Sequence, residues 1–307
     1  MFKNLHELIA TMPDDATRRK YLADQRWPDG NTVCPYCGHT KCYSIEDGKR
    51  YKCASASCYK KFSVTVGTIF EASNIPLNKW FMAVYLCTAH KKGISSYQLG
   101  KDIGVSQKAA WFMLHRIREL MRPKTNKMLD TVVEVDETWT GGKMKNKHKS
   151  VRKKAHEDNL SHVDNKTGVI GYLQRDGELK LNVMDLNKTL KEQVKENVKP
   201  EAVVITDGFY AYNGLAASFE GHEVVHHKQD EFVRGAFHTN GIEGGFGLFK
   251  RMVFGIYHQI TPKHTQRYLD EFTYRYNSRK IKDADRFTLS LRQAEGRLDY
   301  KTLVGKK

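Results

Sequence analysis

Two aspartates close two strand-like runs, a placement suited to holding divalent metal ions. Asp136 ends Thr131-Val132-Val133-Glu134-Val135-Asp136, and Asp207 ends Ala202-Val203-Val204-Ile205-Thr206-Asp207. Alternation along the first run puts Glu134 and Asp136 on one face and Val133 and Val135 on the other. A third carboxylate, Glu243, stands in a helix-like segment, and Lys250 follows nearly two turns later, so Glu243, Gly247 and Lys250 share a face. Ile242, Phe246, Phe249 and Val253 form a separate apolar stripe. Two aspartates and a glutamate on separate elements can converge on two Mg²⁺ ions. Two such ions about 4 Å apart clamp the attacking and leaving oxygens of a phosphodiester. Either aspartate alone reads equally as a loop-initiating cap, and Asn240 followed by Glu243 has capping-box spacing. The combination in one stretch of chain is what points to metal ligation.

A second metal pattern lies upstream. Cys34-Pro35-Tyr36-Cys37-Gly38 is a tight knuckle, and Cys53 and Cys58 follow with strand-like pieces around them. Two cysteine pairs at this separation suit a tetrahedral Zn²⁺ held by Cys34, Cys37, Cys53 and Cys58. Four protein ligands leave no position for a reacting water, so the site is structural. Cys42 lies between the pairs at poorer spacing, and Cys87 reads as a small buried hydrophobe.

Two segments read as DNA-binding. Residues 94–103 form a helix pattern, Gly104-Val105-Ser106 a turn with Ser106 as N-cap, and residues 107–121 a second helix. Ala110, Met113, Leu114, Ile117 and Met121 fall on one face of that helix. Lys108, Trp111, His115, Arg118 and Arg122 fall on the other, and a basic face of this kind can enter a major groove. A plain helical hairpin has the same periodicity. Directly after the Asp136 strand, Lys143, Lys145, Lys147, Lys149, Arg152, Lys153 and Lys154 crowd one stretch without an acid among them. Such a run is either a solvated loop or a contact to DNA backbone beside the metal ligands.

The elements that must position these groups follow a simple order. A helical lead-in covers residues 1–30, the zinc ribbon 31–70, the helix-turn-helix region 75–123 and a charged tail 286–307. Between them, residues 128–285 alternate strands and helices, as an α/β domain with a mixed sheet and flanking helices does. Within it, residues 168–173 and 179–183 form a hairpin through Asp176-Gly177, and residues 190–198 a short helix. The 307 residues carry a net charge of +16, which implies a polyanionic partner. Charge alone does not separate DNA from a ribosome or a membrane surface. No stretch approaches the ~20 apolar residues of a membrane span, and Met1–Asp15 lacks a signal-peptide pattern. The expected location is therefore the cytoplasm, with cysteines as metal ligands or core thiols.

Taken together, these motifs resemble the zinc-ribbon branch of bacterial insertion-sequence DDE transposases. The matching pieces are Cys34-Pro-Tyr-Cys37, Phe62-Ser-Val-Thr-Val-Gly-Thr-Ile-Phe70, Val135-Asp136-Glu-Thr-Trp-Thr-Gly-Gly142 and Thr206-Asp207-Gly-Phe. His238-Thr-Asn-Gly-Ile-Glu243, Phe249-Lys250-Arg251 and Arg267-Tyr-Leu-Asp-Glu-Phe272 match as well, so the resemblance covers about residues 30–280. It implies an RNase H-like catalytic domain in which Asp136, Asp207 and the third segment hold two Mg²⁺ (or Mn²⁺) ions, beside one structural Zn²⁺. Members of the branch differ between Asn and Glu as third ligand. Here Glu243 is favoured, with Asn240 as contributor or cap, and Lys250 and Arg251 on a DNA phosphate. The implied activity is cutting of element ends and joining of the freed 3′-OH to target DNA. The implied partners are double-stranded DNA and further copies of the chain assembled on it at the bacterial nucleoid, with no membrane and no small-molecule substrate. The chain departs from the branch at Gly245-Phe246-Gly247, where two bulkier residues are usual.

Two rivals share parts of the pattern. A non-catalytic DNA-binding regulator leaves the three carboxylates without a role. A metal-dependent nuclease of the same fold would cut without joining. Other recombination chemistries fit less well. The tyrosines lack the basic setting of a recombinase nucleophile, and His226-His227 lack the spacing of a single-strand nicking enzyme.

Overall fold

The computed structural model describes residues 2–142, 144–157, 166–225, 235 and 237–305, with nothing described for the side chains of Lys154 and Ala155. Lys143 of the basic run and the His226-His227 pair therefore lie outside the described residues. The chain divides into two compact units, residues 1–122 with 278–307, and residues 123–277.

The first unit opens with helices α1 (Leu5–Thr11) and α2 (Asp15–Arg26). The side chains of Asn4 and Asp14 accept amide hydrogens in their first turns, supplying acceptors that a helix start lacks. Strands β1 (Cys42–Ile45), β2 (Arg50–Cys53) and β3 (Lys61–Phe62) form a small antiparallel sheet. Helices α3 (Leu77–Ala89), α4 (Ser96–Ile103) and α5 (Gln107–Met121) follow. Gly104 ends α4 in the left-handed region at φ 65°, and Ser106 caps α5 by accepting from Ala109 N.

The second unit is built on a five-stranded sheet. Its elements are β4 (Val132–Thr140), α6 (Lys149–Glu157), β5 (Thr167–Gln174), β6 (Leu179–Val183), α7 (Leu190–Asn197), β7 (Val203–Asp207), β8 (Gly221–Val225), α8 (Asn240–Met252) and α9 (Thr265–Asn277). The strand order is β6-β5-β4-β7-β8. The β4–β5 and β5–β6 pairs are antiparallel, and the β4–β7 and β7–β8 pairs are parallel. This is the RNase H-like mixed sheet that the resemblance implied. Apolar side chains cover both faces, as a central sheet requires. Val133, Val135 and Tyr172 pack with Leu190 and Val194 of α7. Leu173, Leu179 and Leu181 pack with Ile242, Phe246 and Phe249 of α8 and with Leu269 of α9.

Two expectations need correction. The basic run is not one loop. Met144–Asn146 form a short 3₁₀ turn, α6 begins at Lys149, and Lys153 pairs with Glu157 at 3.7 Å. The pairing acid lies just beyond the run, one helical turn on, where a charge count stops. The segment 286–307 is not a tail. It continues through α10 (Asp283–Arg292) and α11 (Tyr300–Val304), and Phe287, Leu291, Leu298 and Leu303 are buried. Phe287 meets Phe2, Phe81 and Tyr85, and Gly296 N donates to Gly67 O at 3.0 Å. Short helices with few apolar positions among many charges give a weak periodic signal, and packing supplies their stability.

Candidate active site and metal centres

The sheet register brings the two aspartates together. Val132, Val133 and Glu134 lie opposite Val203, Val204 and Ile205 in the parallel β4–β7 pair. Asp136 and Asp207 lie two residues beyond the last of these pairs, on neighbouring strands, and the charge of Asp207 reaches Asp136. Burial, and then the charge of Glu137, push the Asp136 carboxyl up to about 7, with smaller contributions from Asp207 and Glu243. Asp136 Oδ1 accepts the Glu137 amide at 2.8 Å, and Asp207 Oδ1 accepts the Phe209 amide at 3.1 Å. Glu243 is exposed in the first turn of α8, and its Oε1 accepts the Thr239 hydroxyl at 3.0 Å. The N-cap position of α8 belongs to Thr239, so Asn240 and Glu243 do not form the capping box their spacing allows. Asn240 is the first helical residue and is exposed.

Helix α8 is tied to β4 by a residue that the sequence reading left out. Glu134 is buried, two positions before Asp136 and on the same face. Its Oε2 accepts the Ile242 amide at 2.9 Å, so a strand carboxylate takes one of the free donors at the start of α8. Its Oε1 lies 3.3 Å from Arg175 Nε and 3.3 Å from His238 Nδ1. A fully buried carboxylate needs such partners. Two glycines make the approach possible. A Cβ at Gly241 would sit 2.7 Å from Glu134 Oε2, and one at Gly171 would sit 2.7 Å from both Ile242 and Phe246. Gly171 is the β5 partner of Asp136, so Phe246 packs on the sheet beside the aspartate. The unusual Gly245-Phe246-Gly247 packing is thus resolved. The ring fills the space over Gly171, while Cβ atoms at 245 and 247 would meet nothing closer than 3.7 Å.

On the other face of β4, Glu137 accepts the Tyr212 hydroxyl at 2.6 Å. Burial first raises the Glu137 carboxyl, and Asp207 adds to it. Burial, then the charge of Glu137, hold the Tyr212 hydroxyl well above its ordinary range. Glu137 is thus a further acid beside Asp136 and Asp207. Its adjacency to Asp136 was visible in the sequence, but Tyr212 as its partner was not. The donors are carboxylate oxygens, hard ligands of the kind that divalent Mg²⁺ or Mn²⁺ takes.

The cysteine centre is tighter. The Sγ atoms of Cys34, Cys37, Cys53 and Cys58 all lie within 4.8 Å of one another, the one group this compact among the described residues. Cys34–Cys58 is 3.9 Å and Cys37–Cys53 is 3.6 Å. A tetrahedron with Zn–S bonds of about 2.3 Å has edges of roughly 3.8 Å. The knuckle turn places the first pair, with Gly38 N donating to Cys34 O at 2.9 Å, and the end of β2 places Cys53. Cys42 is outside the group, its Sγ 3.8 Å from His39 O.

Residues 128–277 match the ISXO2-like transposase domain family, and residues 13–61 match the transposase zinc-ribbon domain family. The chain belongs to the zinc-ribbon insertion-sequence DDE transposases. It is similar to an uncharacterized protein in transposable element ISH50 of Halobacterium salinarum, at 27% identity over 79% of this chain and 84% of that one. It is also similar to an uncharacterized transposase-like protein of Haemophilus influenzae, at 32% identity over 31% of this chain and 75% of that one. The cysteine centre is accordingly the structural Zn²⁺ site of a transposase zinc ribbon.

The DNA-facing residues expected of this transposase divide unevenly. On α5, Lys108 and Arg122 are exposed and Trp111 is half-buried, but His115 and Arg118 are buried. The expected recognition face is therefore interrupted. The helix is buried around most of its circumference, as a central packing helix is, and period alone does not reveal that. Arg116 is also buried, donating to the carbonyls of Ile69, Glu71 and Leu298. Lys145, Lys149 and Arg152 are exposed, and Lys147 is half-buried. On α8, Lys250 is half-buried, and exposed Arg251 donates to Gly247 O at 3.3 Å. No helix among the described residues is long and apolar enough to cross a membrane.

Proposed function

We propose that this transposase cuts the ends of its element and joins the freed 3′-OH to target DNA by in-line phosphoryl transfer at Asp136, Asp207 and Glu243. The observation that carries this reading is the β4–β7 register. It puts Asp136 and Asp207 on neighbouring strands just beyond their paired stretch, and Asp207 and Glu243 both contribute to the raised Asp136 proton affinity, which supports the reading. Asp136, Asp207 and Glu243 would hold two Mg²⁺ or Mn²⁺ ions, with Asn240 adjoining them. When bound, such ions supply Lewis-acid polarisation of the scissile phosphate. The chain's own part is to position and to neutralise. The middle of β4 fixes Asp136 and the end of β7 fixes Asp207, and Glu134 anchors the helix that carries the third. Lys250 and Arg251 neutralise DNA phosphates beside them. Lys108 and Arg122, with the basic residues around α6, hold duplex DNA through its backbone. Copies of the chain assemble on the DNA, in the nucleoid of a bacterial cytoplasm.

The test is incubation of purified protein with Mg²⁺ and a labelled element-end duplex. The expected products are a nick with a free 3′-OH and, with added target DNA, joined strands. Asp136→Ala and Asp207→Ala should bind DNA and leave it uncut, and wild-type cleavage by Asp207→Ala would sink the mechanism. Glu243→Gln inactive beside an active Asn240→Ala assigns the third ligand to Glu243, and the reverse assigns it to Asn240. Cutting without joining would reduce the protein to a nuclease.

A further inference from the structure

We infer that a cleft beside the carboxylates takes one nucleotide unstacked from the DNA strand, its base against Phe254 and its phosphate against Lys250 and Lys147. The inference rests on the cleavage reading above, because it takes the strand passing the cleft to be the one held for cutting.

The cleft encloses about 200 Å³. One wall is the turn Thr140-Gly141-Gly142 at the end of β4, beyond Asp136, with Lys147 close over Gly142. The other wall is the C-terminal part of α8 and the turn after it, bringing Lys250, Val253, Phe254 and His258. Lys250 shares a helix face with Glu243 and lies about 10 Å along the axis from it. That distance is about three base steps of a duplex strand. A strand whose phosphate lies at the carboxylates therefore runs past this cleft.

Three features favour a base over a phosphate alone. First, Phe254 is 65% exposed, although Val253 beside it and Ile260 on the same wall are buried. A large aromatic left open above an apolar floor is a stacking platform in search of a flat partner. Second, the wall is strained and braced. Val253–Tyr257 form a π-helical turn, a form found mostly at functional sites. His258 ends it at φ 58°, in the left-handed region that favours glycine. Tyr257 holds the turn by donating to Glu271 Oε1 at 2.5 Å, and Glu271 is itself buried and paired with Arg275. Third, cations from both walls flank the apolar floor, as a nucleotide with one charged and one flat end requires. A base held in the duplex stack presents only its edges in the grooves, so only an unstacked base can lay its face on Phe254.

The probe is an element-end duplex carrying 2-aminopurine, walked one position at a time across the cleavage point. It is read at saturating full-length protein, with Ca²⁺ in place of Mg²⁺ to hold the complex uncut. Unstacking raises 2-aminopurine fluorescence. The expected result is a several-fold rise at one position a few nucleotides from the cut, lost in Phe254→Ala and kept in Phe254→Trp. No rise at any position, on DNA that the same protein cuts in Mg²⁺, overturns the inference and leaves the cleavage reading intact. It would mean that Lys147, Lys250 and His258 meet stacked duplex backbone only. A rise that survives in Phe254→Ala also overturns it, because the base then unstacks elsewhere. DNA that is bound but never cut in Mg²⁺ brings down the cleavage reading, and the inference with it.

Discussion

The thiolate centre and the carboxylate centre proposed to hold catalytic metal are built in opposite ways. The four cysteines come from two short local segments and already stand within 4.8 Å of one another. The carboxylates come from two strands and a helix far apart in sequence. Asp207 and Glu243 add to the raised proton affinity of Asp136, and Glu243 is exposed. A structural site gains from closure, since its ion is part of the fold. A site that must admit a phosphodiester has to stay open, and its acids must be held against their own repulsion by the surrounding protein. The Glu134 anchor is that holding device in the second unit.

The largest difference should appear on losing metal. Small zinc modules draw on the order of 10 kcal/mol of folding free energy from their ion. Cys34→Ser/Cys58→Ser should therefore drop zinc from about one per chain to none by elemental analysis and unfold the ribbon. Removing magnesium should unfold nothing. Unchanged zinc content in that variant would break the contrast at its simplest point.

The anchor comes next in size. Glu134→Ala removes the acceptor of the Ile242 amide and leaves Arg175 without its buried partner. Unfolding of the second unit by denaturant should cost about 3 kcal/mol less than in the wild type. Glu134→Gln, which keeps one acceptor oxygen, should lose less. An Ala variant as stable as wild type would mean that packing of Phe246 on Gly171 is enough to seat α8.

A smaller effect of opposite sign is expected at Asp136. Its folded carboxyl is raised from 3.8 to about 7, so folding favours the protonated form. The stability it contributes is full below the unfolded value and is lost as pH rises through the folded one. Asp136→Asn cannot ionise. It should stabilise the metal-free protein by on the order of 2 kcal/mol at pH 8, and by little near pH 4. Thermal melts at the two pH values decide it. A variant less stable than wild type at pH 8 would show that Asp136 is not held against repulsion.

The same contrast explains what could be read from the residues alone. The zinc ligands were legible because knuckle spacing is a local constraint. Asp136 and Asp207 stood out because each ends an apolar run, although β4 does not end at Asp136 and continues to Thr140; the α7 helix and the β5–β6 hairpin were legible because their periods and turns are local. Glu134 was not, since an acid two places before another acid reads as solvent-facing alternation until α8 covers it. Tyr212 was not, because its pairing with Glu137 joins residues 75 positions apart. The burial of His115 and Arg118 escaped for the same reason, because helical period gives direction and not what lies in that direction. The return of residues 278–307 to the first unit is likewise a long-range fact, made by Phe287 and the Gly67–Gly296 contact.

The most direct test of the carboxylate centre is metal-directed backbone cleavage. Fe²⁺ in place of Mg²⁺, with ascorbate and peroxide, cuts the chain beside its ligands. The expected fragments end near Asp136, near Asp207 and at the start of α8 around Asn240–Glu243. They should fade with excess Mg²⁺ and disappear in Asp207→Asn. Cuts confined to other parts of the chain, or an unchanged pattern in Asp207→Asn, would contradict a metal centre at these three elements.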